Sequence, residues 1–466
     1  MLRRPGSRCA AAGLGLLGLV GAVVSCTFSA ERRVLPHELL TPASPEPLTA
    51  LNVEERLQRG MIPEVVAFLQ GPEGRRVPPE TAARLLAEAK LESGDFRTAE
   101  RIAAHVLEKT SRTSLLAEME WLSSQSAYWR NDFSGAARHA AASREAGRGV
   151  PEGWITFLNS GAARNLYGGA SAGDRLQLRF RFGRPNLIRL DVAVNGQAAR
   201  DVILDSGASI SLVTESAARR LGLEVVEGAV APARGLHEKE IPMRFGWART
   251  LAVGGVTLHD VPFGILPDGT LSFETESIGL FSPEGVLGIH FMKEFDFRIE
   301  PSERLLKAFR LPPGIARGSP DQNLFFRRLK PMVRASFNRR PWSLFLLDTG
   351  SEPTMVTAEG LKANQHADSQ PSAPVTIEGI GKAEVSWSKV SNITIGIGRY
   401  MVWFKDMVVN EGGDVIGDGI VGMSYLSAFD IEMRFSAMTL VLTRPGDRQS
   451  PERSPFEPEP VAPPSG

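Results

Sequence analysis

One short phrase occurs twice in this chain, and the repetition restricts the fold more than any other feature. Asp205-Ser206-Gly207-Ala208-Ser209 follows the apolar run Val202-Ile203-Leu204, and Asp348-Thr349-Gly350-Ser351 follows Leu344-Phe345-Leu346-Leu347. Each is answered downstream by an apolar-apolar-glycine phrase, Val286-Leu287-Gly288 after the first and Ile420-Val421-Gly422 after the second. The correspondence runs on from Gly285 through Phe295-Asp296 and from Gly419 through Phe429-Asp430, with glycines, aliphatics and aromatics in matching places. A single Asp-Ser-Gly turn arises often by chance. Two of them, each followed in the same order by its glycine phrase, point to two copies of one unit. Each aspartate would sit just past a buried strand in a turn of hydroxyl and glycine residues. Together they provide the pair of carboxylates that activation of a water molecule requires.

The hydrophobic period divides the rest of the 466 residues, which are enough for two or three domains with cores of their own. From about Leu51 to Tyr167 the period is helical, as in Ala83, Leu86, Ala87 and Leu91. Gly94-Asp95-Phe96 followed by Ala99 is echoed by Asn131-Asp132-Phe133 followed by Ala136, and more weakly by Gly60-Met61-Ile62 followed by Val65. Gly or Asn suits a left-handed turn between paired helices, and alanine lets helices approach closely. This spacing resembles tetratricopeptide arrays; an irregular helical bundle is the alternative. Composition turns to Gly, Ala and Ser around Gly168 to Asp174, which reads as a linker. Beyond it the period becomes two: Leu176, Leu178, Phe180 and Phe182 alternate with polar residues. Further strands are expected at 188–194, 201–204, 251–253, 261–265 and 295–299, with turns at Asn195-Gly196 and Gly254-Gly255. The stretch from Leu324 to Leu442 repeats the scheme.

Residues from about 176 to 443 resemble the pepsin and retropepsin class of aspartic peptidases, and more particularly bacterial retropepsin-like domains fused as a tandem pair. The resemblance implies two β-lobes across a cleft, with Asp205 and Asp348 as catalytic residues. It implies that Ser206 and Thr349 bridge the two catalytic loops and that Gly207 and Gly350 let backbone amides reach the carboxylates. Val286, Leu287, Gly288, Ile420, Val421 and Gly422 would brace those loops. Glycine is needed where another backbone passes too close for a side chain. Flap tips are expected at Gly235 in the first lobe and at Gly379 and Gly381 in the second. Two carboxylates about 3 Å apart share one proton. The loops depart from one another at Ala208 and Ser351. A serine at that place can hydrogen-bond the ionised carboxylate and lower its pKa, so a single serine predicts activity at mildly acidic or neutral pH. Glu352 either raises the pKa of Asp348 or points to solvent, and solvent is favoured.

Composition excludes other chemistries. Lys plus Arg equals Asp plus Glu at 53 each, so no charge excess points to nucleic acid. Arg327-Arg328 and Arg339-Arg340 read as solvated hairpin tips. The two cysteines, Cys9 and Cys26, both lie at the N-terminus, and the seven histidines are scattered. No metal site or cofactor is expected. Arg3, Arg4 and Arg8 precede an apolar stretch from Leu14 to Val24 that ends Val23-Val24-Ser25-Cys26. This resembles a bacterial lipoprotein signal, with Cys26 as the lipidated residue; an ordinary signal peptide is the alternative. By the same resemblance Thr27 favours the outer membrane of the cell envelope.

The expected organisation is multidomain, with N-terminal all-α helical repeats followed by an all-β bilobal aspartic peptidase fold. Its parts are a signal at 1–26, a linker at 27–50, helices at 51–168, lobes at 175–312 and 320–444, and a proline-rich tail at 445–466. The expected partners are a protein or peptide substrate, a protein bound to the helical repeats, and a membrane through the lipid anchor. The leading function is an envelope-anchored aspartic endopeptidase. A non-catalytic peptide-binding or scaffolding lipoprotein is the alternative.

Overall fold

The computed structural model describes residues 31–36, 47–171, 173–183, 185–234, 240–275, 279–315, 317–338, 340–363, 375–378, 384–411 and 415–447. Cys26 and the three glycines expected at flap tips, Gly235, Gly379 and Gly381, lie outside the described residues, as does most of the proline-rich tail.

Seven helices come first: α1 (Val53–Gln58), α2 (Ile62–Gln70), α3 (Pro79–Glu92), α4 (Phe96–Leu107), α5 (Thr113–Trp129), α6 (Phe133–Glu145) and α7 (Glu152–Ser160). Gly60, Gly94 and Asn131 hold φ values of +81°, +82° and +64°, the left-handed conformation that ends one helix and turns the chain into the next. Asp95 and Asp132 then cap the following helix, accepting from the amides of Thr98 and Gly135. Phe96, Ala99, Ala103 and Val106 form the buried stripe of α4.

Each lobe is built on seven corresponding strands in a sheet that closes on itself, and Arg32–Pro36 and Leu324–Arg327 extend the second sheet to nine among the described residues. In the first the order is Arg189–Val194, Gln197–Leu204, Gly285–Leu287, Ser211–Thr214, Val256–Leu266, Glu240–Val253 and Glu224–Arg234, with Arg189–Val194 also pairing Glu240–Val253. The second lobe runs in the same order: Lys330–Phe337, Arg340–Leu347, Gly419–Val421, Met355–Thr357, Tyr400–Asn410, Glu384–Ile397 and Val375–Glu378, closed by Lys330–Phe337 on Glu384–Ile397. The duplication seen in the sequence is thus a duplication of topology. A separate five-stranded sheet joins the lobes. Phe295–Glu300 of the first lies antiparallel to Asp430–Arg434 of the second, with Phe297 opposite Met433 and Ile299 opposite Ile431. The strands that begin at the two Phe-Asp ends therefore pair at the join, and because they run antiparallel the Phe-Asp ends themselves lie at opposite ends of the pair.

The turns behave as their residues demand. Asn195 and Gly196 (φ +51° and +79°) and Gly254 and Gly255 (+55° and +90°) form two-residue hairpin loops with both central residues left-handed.

Three expectations about connecting segments are corrected. Arg32–Pro36, read as part of an unordered linker, pairs antiparallel with Tyr400–Asn410, from Arg32 opposite Phe404 to Pro36 opposite Tyr400. Backbone hydrogen bonds to an open sheet edge need no apolar period, so nothing in the composition announces the strand. The Gly168–Asp174 stretch, read as a linker, is tied to neighbouring strands at its described residues. Gly168 bridges His259, a side chain begun at Gly169 would lie 2.4 Å from the His259 ring, and Gly173 donates to the Arg310 carbonyl. Its small residues serve close approach. Arg327 is buried, not solvated. Its guanidinium binds Glu92 at 2.5 and 2.7 Å and caps the carbonyls of Leu57 and Gln58 at the end of α1. Arg328 beside it is exposed.

The helices share a core with the lobes. Trp129 stacks on Phe326 of the second lobe at 4.1 Å. Phe157 stacks on Phe245 at 4.4 Å and on Trp247 at 5.2 Å in the first lobe, and Tyr128 lies 4.3 Å from the His290 ring. One continuous apolar cluster runs from Ala87 to Leu442 through all three parts, and a second joins α1 to α3 with Leu344, Leu346 and Ile420. Trp129→Ala is expected to lower stability by about 3–5 kcal/mol, measured by denaturant unfolding of the full chain. A chain cut to begin at Asp174 is expected to lack a cooperative unfolding transition; cooperative unfolding of that fragment would contradict a shared core.

Candidate active site

The two aspartate loops are built alike. Val286 and Leu287 lie parallel to Ile203 and Leu204, and Ile420 and Val421 lie parallel to Leu346 and Leu347. The Asp205 amide donates to the Leu287 carbonyl and the Asp348 amide to the Val421 carbonyl, each at 3.0 Å. These inner strands are covered on both faces, which is why their sequences are continuous apolar runs. Gly288 and Gly422 do what close approach requires. A side chain begun at Gly288 would come within 2.5 Å of the Ile210 carbonyl oxygen, and one at Gly422 within 2.2 Å of that of Pro353. Either glycine replaced would push the loop off its brace.

The loops meet across the lobes through four reciprocal hydrogen bonds. The Ser206 amide donates to Thr349 Oγ1 and the Thr349 amide to Ser206 Oγ, both at 3.0 Å. In turn Ser206 Oγ donates to the Leu347 carbonyl and Thr349 Oγ1 to the Leu204 carbonyl, both at 2.7 Å. Each hydroxyl thus accepts from the opposite loop's amide and donates to the carbonyl just before the opposite aspartate. All of these groups are buried.

Asp205 and Asp348 are fully buried and face one another across this grip. The contact is close enough that a side chain begun at Gly350 would stand 2.2 Å from the carboxyl carbon of Asp205. Asp205 Oδ1 accepts from the amides of Gly207 (2.8 Å) and Ala208 (3.1 Å), and Asp348 Oδ1 accepts from Gly350 (2.9 Å). Each Oδ2 is buried and, among the described residues, is reached by no N–H or hydroxyl donor. One oxygen of each carboxyl is therefore fixed, and the other is left for chemistry. Burial is the largest cause raising both pKa values. Asp348 is pushed up to about 6, and Asp205, raised next by the charge of Asp348, goes well above the usual carboxylate range. The pair titrates as a unit.

Two expectations about the second loop are corrected. The Ser351 hydroxyl donates to the Pro353 carbonyl at 2.9 Å and not to Asp348, because the Glu352-Pro353 turn brings that carbonyl within reach. Glu352 neither points freely to solvent nor counts among the main influences on Asp348. Its carboxylate accepts from the Asn186 amide of the first lobe at 3.2 Å, and its own carbonyl accepts from Ser424. It is a contact between lobes.

A further residue, absent from the sequence reading, acts on the dyad. Arg328 and Leu329, both left-handed (φ +48° and +62°), turn the strand Leu324–Arg327 into Lys330–Phe337. Met332 pairs Leu346, so continuing that register by two residues sets the buried Lys330 across from Asp348. Its positive charge lowers the pKa of both aspartates against the effect of burial. In the first lobe Arg189 pairs Ile203, which puts the apolar Leu187 at the corresponding place, so one lobe supplies the cation for both. The signal lay in the hairpin register, but a β-bulge between Ala335 and Phe337 shifts it by one residue, so equal counting from the turn does not set Lys330 across from Asp348.

Residues 190–291, which fall in the first lobe, match a family model described as aspartyl protease. Among solved structures the chain is similar to a retropepsin-like aspartic protease from Rickettsia conorii, at 16% identity over 29% of this chain and 92% of that one, with a TM-score of 0.23. It is also similar to an aspartic proteinase from Irpex lacteus, at 11% identity over 59% of this chain and 98% of that one, with a TM-score of 0.34. A search of curated protein sequences finds no match.

Thr349→Val removes one donor and one acceptor from the grip and leaves the Ser206 amide and the Leu204 carbonyl buried and unpaired. The expected loss is about 2–5 kcal/mol, read from the denaturant midpoint, with most of it restored in Thr349→Ser.

Proposed function

We propose that the chain is an aspartic endopeptidase in which Asp205 and Asp348 together activate water for attack on a peptide bond. The observation that carries this reading is the pair of buried carboxyls, each with one oxygen held by backbone amides and the other open, on loops locked by reciprocal hydrogen bonds. With one proton between them, the ionised carboxyl takes a proton from water as the water oxygen bonds to the peptide carbonyl carbon. The protonated carboxyl gives its proton to the carbonyl oxygen, leaving a tetrahedral gem-diol. Return of a proton to the amide nitrogen and loss of one from a hydroxyl break the C–N bond, releasing a carboxylic acid and an amine. The fixed loops keep both groups aligned at no cost of reorganisation in the transition state.

The hairpins that continue from Glu224–Arg234 into Glu240 and from Val375–Glu378 into Glu384 support the flap reading by their place in each lobe. In the same reading the lipobox-like Val23-Val24-Ser25-Cys26 tethers the enzyme by a lipid at Cys26 to the bacterial envelope, most consistently the outer membrane. The helices resemble tetratricopeptide pairs in their turn chemistry. Their inner faces are taken up by the lobes, so a recruited protein would use the outer face.

The primary test is cleavage of an unbiased peptide mixture by soluble protein beginning at Thr27, between pH 3 and 8. Asp205→Asn and Asp348→Asn are each expected to reduce turnover by at least about 10³-fold; turnover that survives either substitution rejects the dyad. Because burial raises both carboxyls, activity is expected at mildly acidic to neutral pH, and an optimum below about pH 3 would contradict this. Lys330 favours the ionised carboxyls, so Lys330→Met should raise both pKa values and move the kcat/KM profile to higher pH.

Stability follows the same sign. The folded pKa of Asp348, about 6, lies above its ordinary 3.8, so the native state favours the protonated group. Its contribution is complete below about pH 4 and is lost as pH rises through about 6. The Tm of Asp348→Asn is expected to fall less than that of the wild type between pH 4 and 7.

A further inference from the structure

Apart from the dyad, a cavity of about 460 Å³ opens where the start of α4, the segment after α7 and residues 311–315 meet. Five arginines line it (Arg97, Arg130, Arg164, Arg310 and Arg317) against two carboxylates, Asp95 and Glu294. Both carboxylates are already engaged. Glu294 is held by Lys293, Arg310 and Asn131, and Asp95 caps α4 while lying 3.3 Å from Lys90. Of the arginines, Arg130 pairs with Glu100 and, at 3.9 Å, with Asp132, and Arg164 with Glu224 and Asp260.

Among the described residues, Arg97 and Arg317 have no carboxylate within ion-pair distance. Among the described residues Arg317 donates to the carbonyls of Phe435 (3.0 Å) and Lys293 (2.8 Å), and burial disfavours its charge more than the more distant Glu294 and Asp296 favour it. Arg97 reaches over the opening until its Nη2 stands 3.2 Å from where a side chain on Gly314 would begin. It projects from the first turn of α4, whose N-terminal end is already capped by the Asp95 carboxylate. Nε of Arg130 is buried without an acceptor. Phe96, Trp129 and Tyr167 supply an apolar side to the same space. Among the residues that line the cavity, guanidinium groups outnumber carboxylates. Planar guanidinium forks suit the paired oxygens of a phosphate or carboxylate.

We propose that this cavity binds a small oxyanion carrying two or more negative charges, of the phosphate-ester or polycarboxylate kind, with Arg97 and Arg317 as its principal ligands. The bound anion joins α4 of the helical region to the connection between the lobes and stabilises their arrangement by mass action. The reading is independent of the dyad chemistry.

Thermal unfolding and calorimetric titration of the full soluble chain with inorganic phosphate, citrate and chloride at matched ionic strength test it. A saturable rise in Tm with phosphate or citrate and none with chloride is expected, and the stronger of the two identifies the ligand kind. Arg97→Ala removes no ion pair of the fold and should weaken binding at least about tenfold, whereas Arg101→Ala, further along α4, should leave it unchanged. A response equal to that of chloride, no saturable response to either oxyanion, or undiminished binding by Arg97→Ala overturns the proposal.

Discussion

The exchange of hydrogen bonds between Ser206 and Thr349 is the constraint on which the rest of the site depends. Each residue offers its amide to the other's hydroxyl and directs its hydroxyl at the carbonyl preceding the other's aspartate. The four bonds are buried, so none can be traded for water without loss. The grip forces two carboxyls together in a medium that resists their charge. The parallel strand segments behind the loops and the glycines at 288 and 422 make this arrangement rigid.

The helical region is more than an appendage to these lobes. Its aromatic face is finished by Phe245 and Trp247 from one lobe and by Phe326 from the other. Arg327 ties α1 and α3 to the hairpin whose next strand begins with Lys330. A charge that acts on the dyad is therefore mounted on a turn that the helices hold. The buried Arg327–Glu92 pair costs desolvation of both partners, and the two carbonyls at the end of α1 help to offset it.

What could be read from the sequence was what is local or repeated. The aspartate loops, the glycine phrases, the left-handed turns at Gly60, Gly94 and Asn131, and the hairpin at Asn195-Gly196 each follow from a requirement met within a few residues. What could not be read depends on partners distant in the chain. The Ser351 hydroxyl had two acceptors within reach, and composition does not choose between them. Glu352 finds its amide at Asn186, and Arg327 finds Glu92, only after folding. Lys330 needed the hairpin register, since nothing in its neighbours marks it. The stretch from Gly168 to Asp174 looks like a flexible joint because small residues serve both freedom and close contact. Alanine-rich periodicity identifies helices but leaves unstated what will cover them.

The aromatic face shared between helices and lobes has a consequence for how the chain is made. Synthesis runs from the N-terminus, so Trp129, Phe133, Trp154 and Phe157 leave the ribosome before every described strand of the lobes except the edge strand Arg32–Pro36. Trp247 arrives roughly a hundred residues after them, and Phe326, the ring on which Trp129 rests, later still. In that interval the helices carry an oily surface with no cover, the kind of surface that chaperones bind. Completion of the core waits for the second lobe, and with it the grip, so the same late event seals the helices and assembles the dyad. A nascent chain of this design holds no finished site until nearly all of it has emerged.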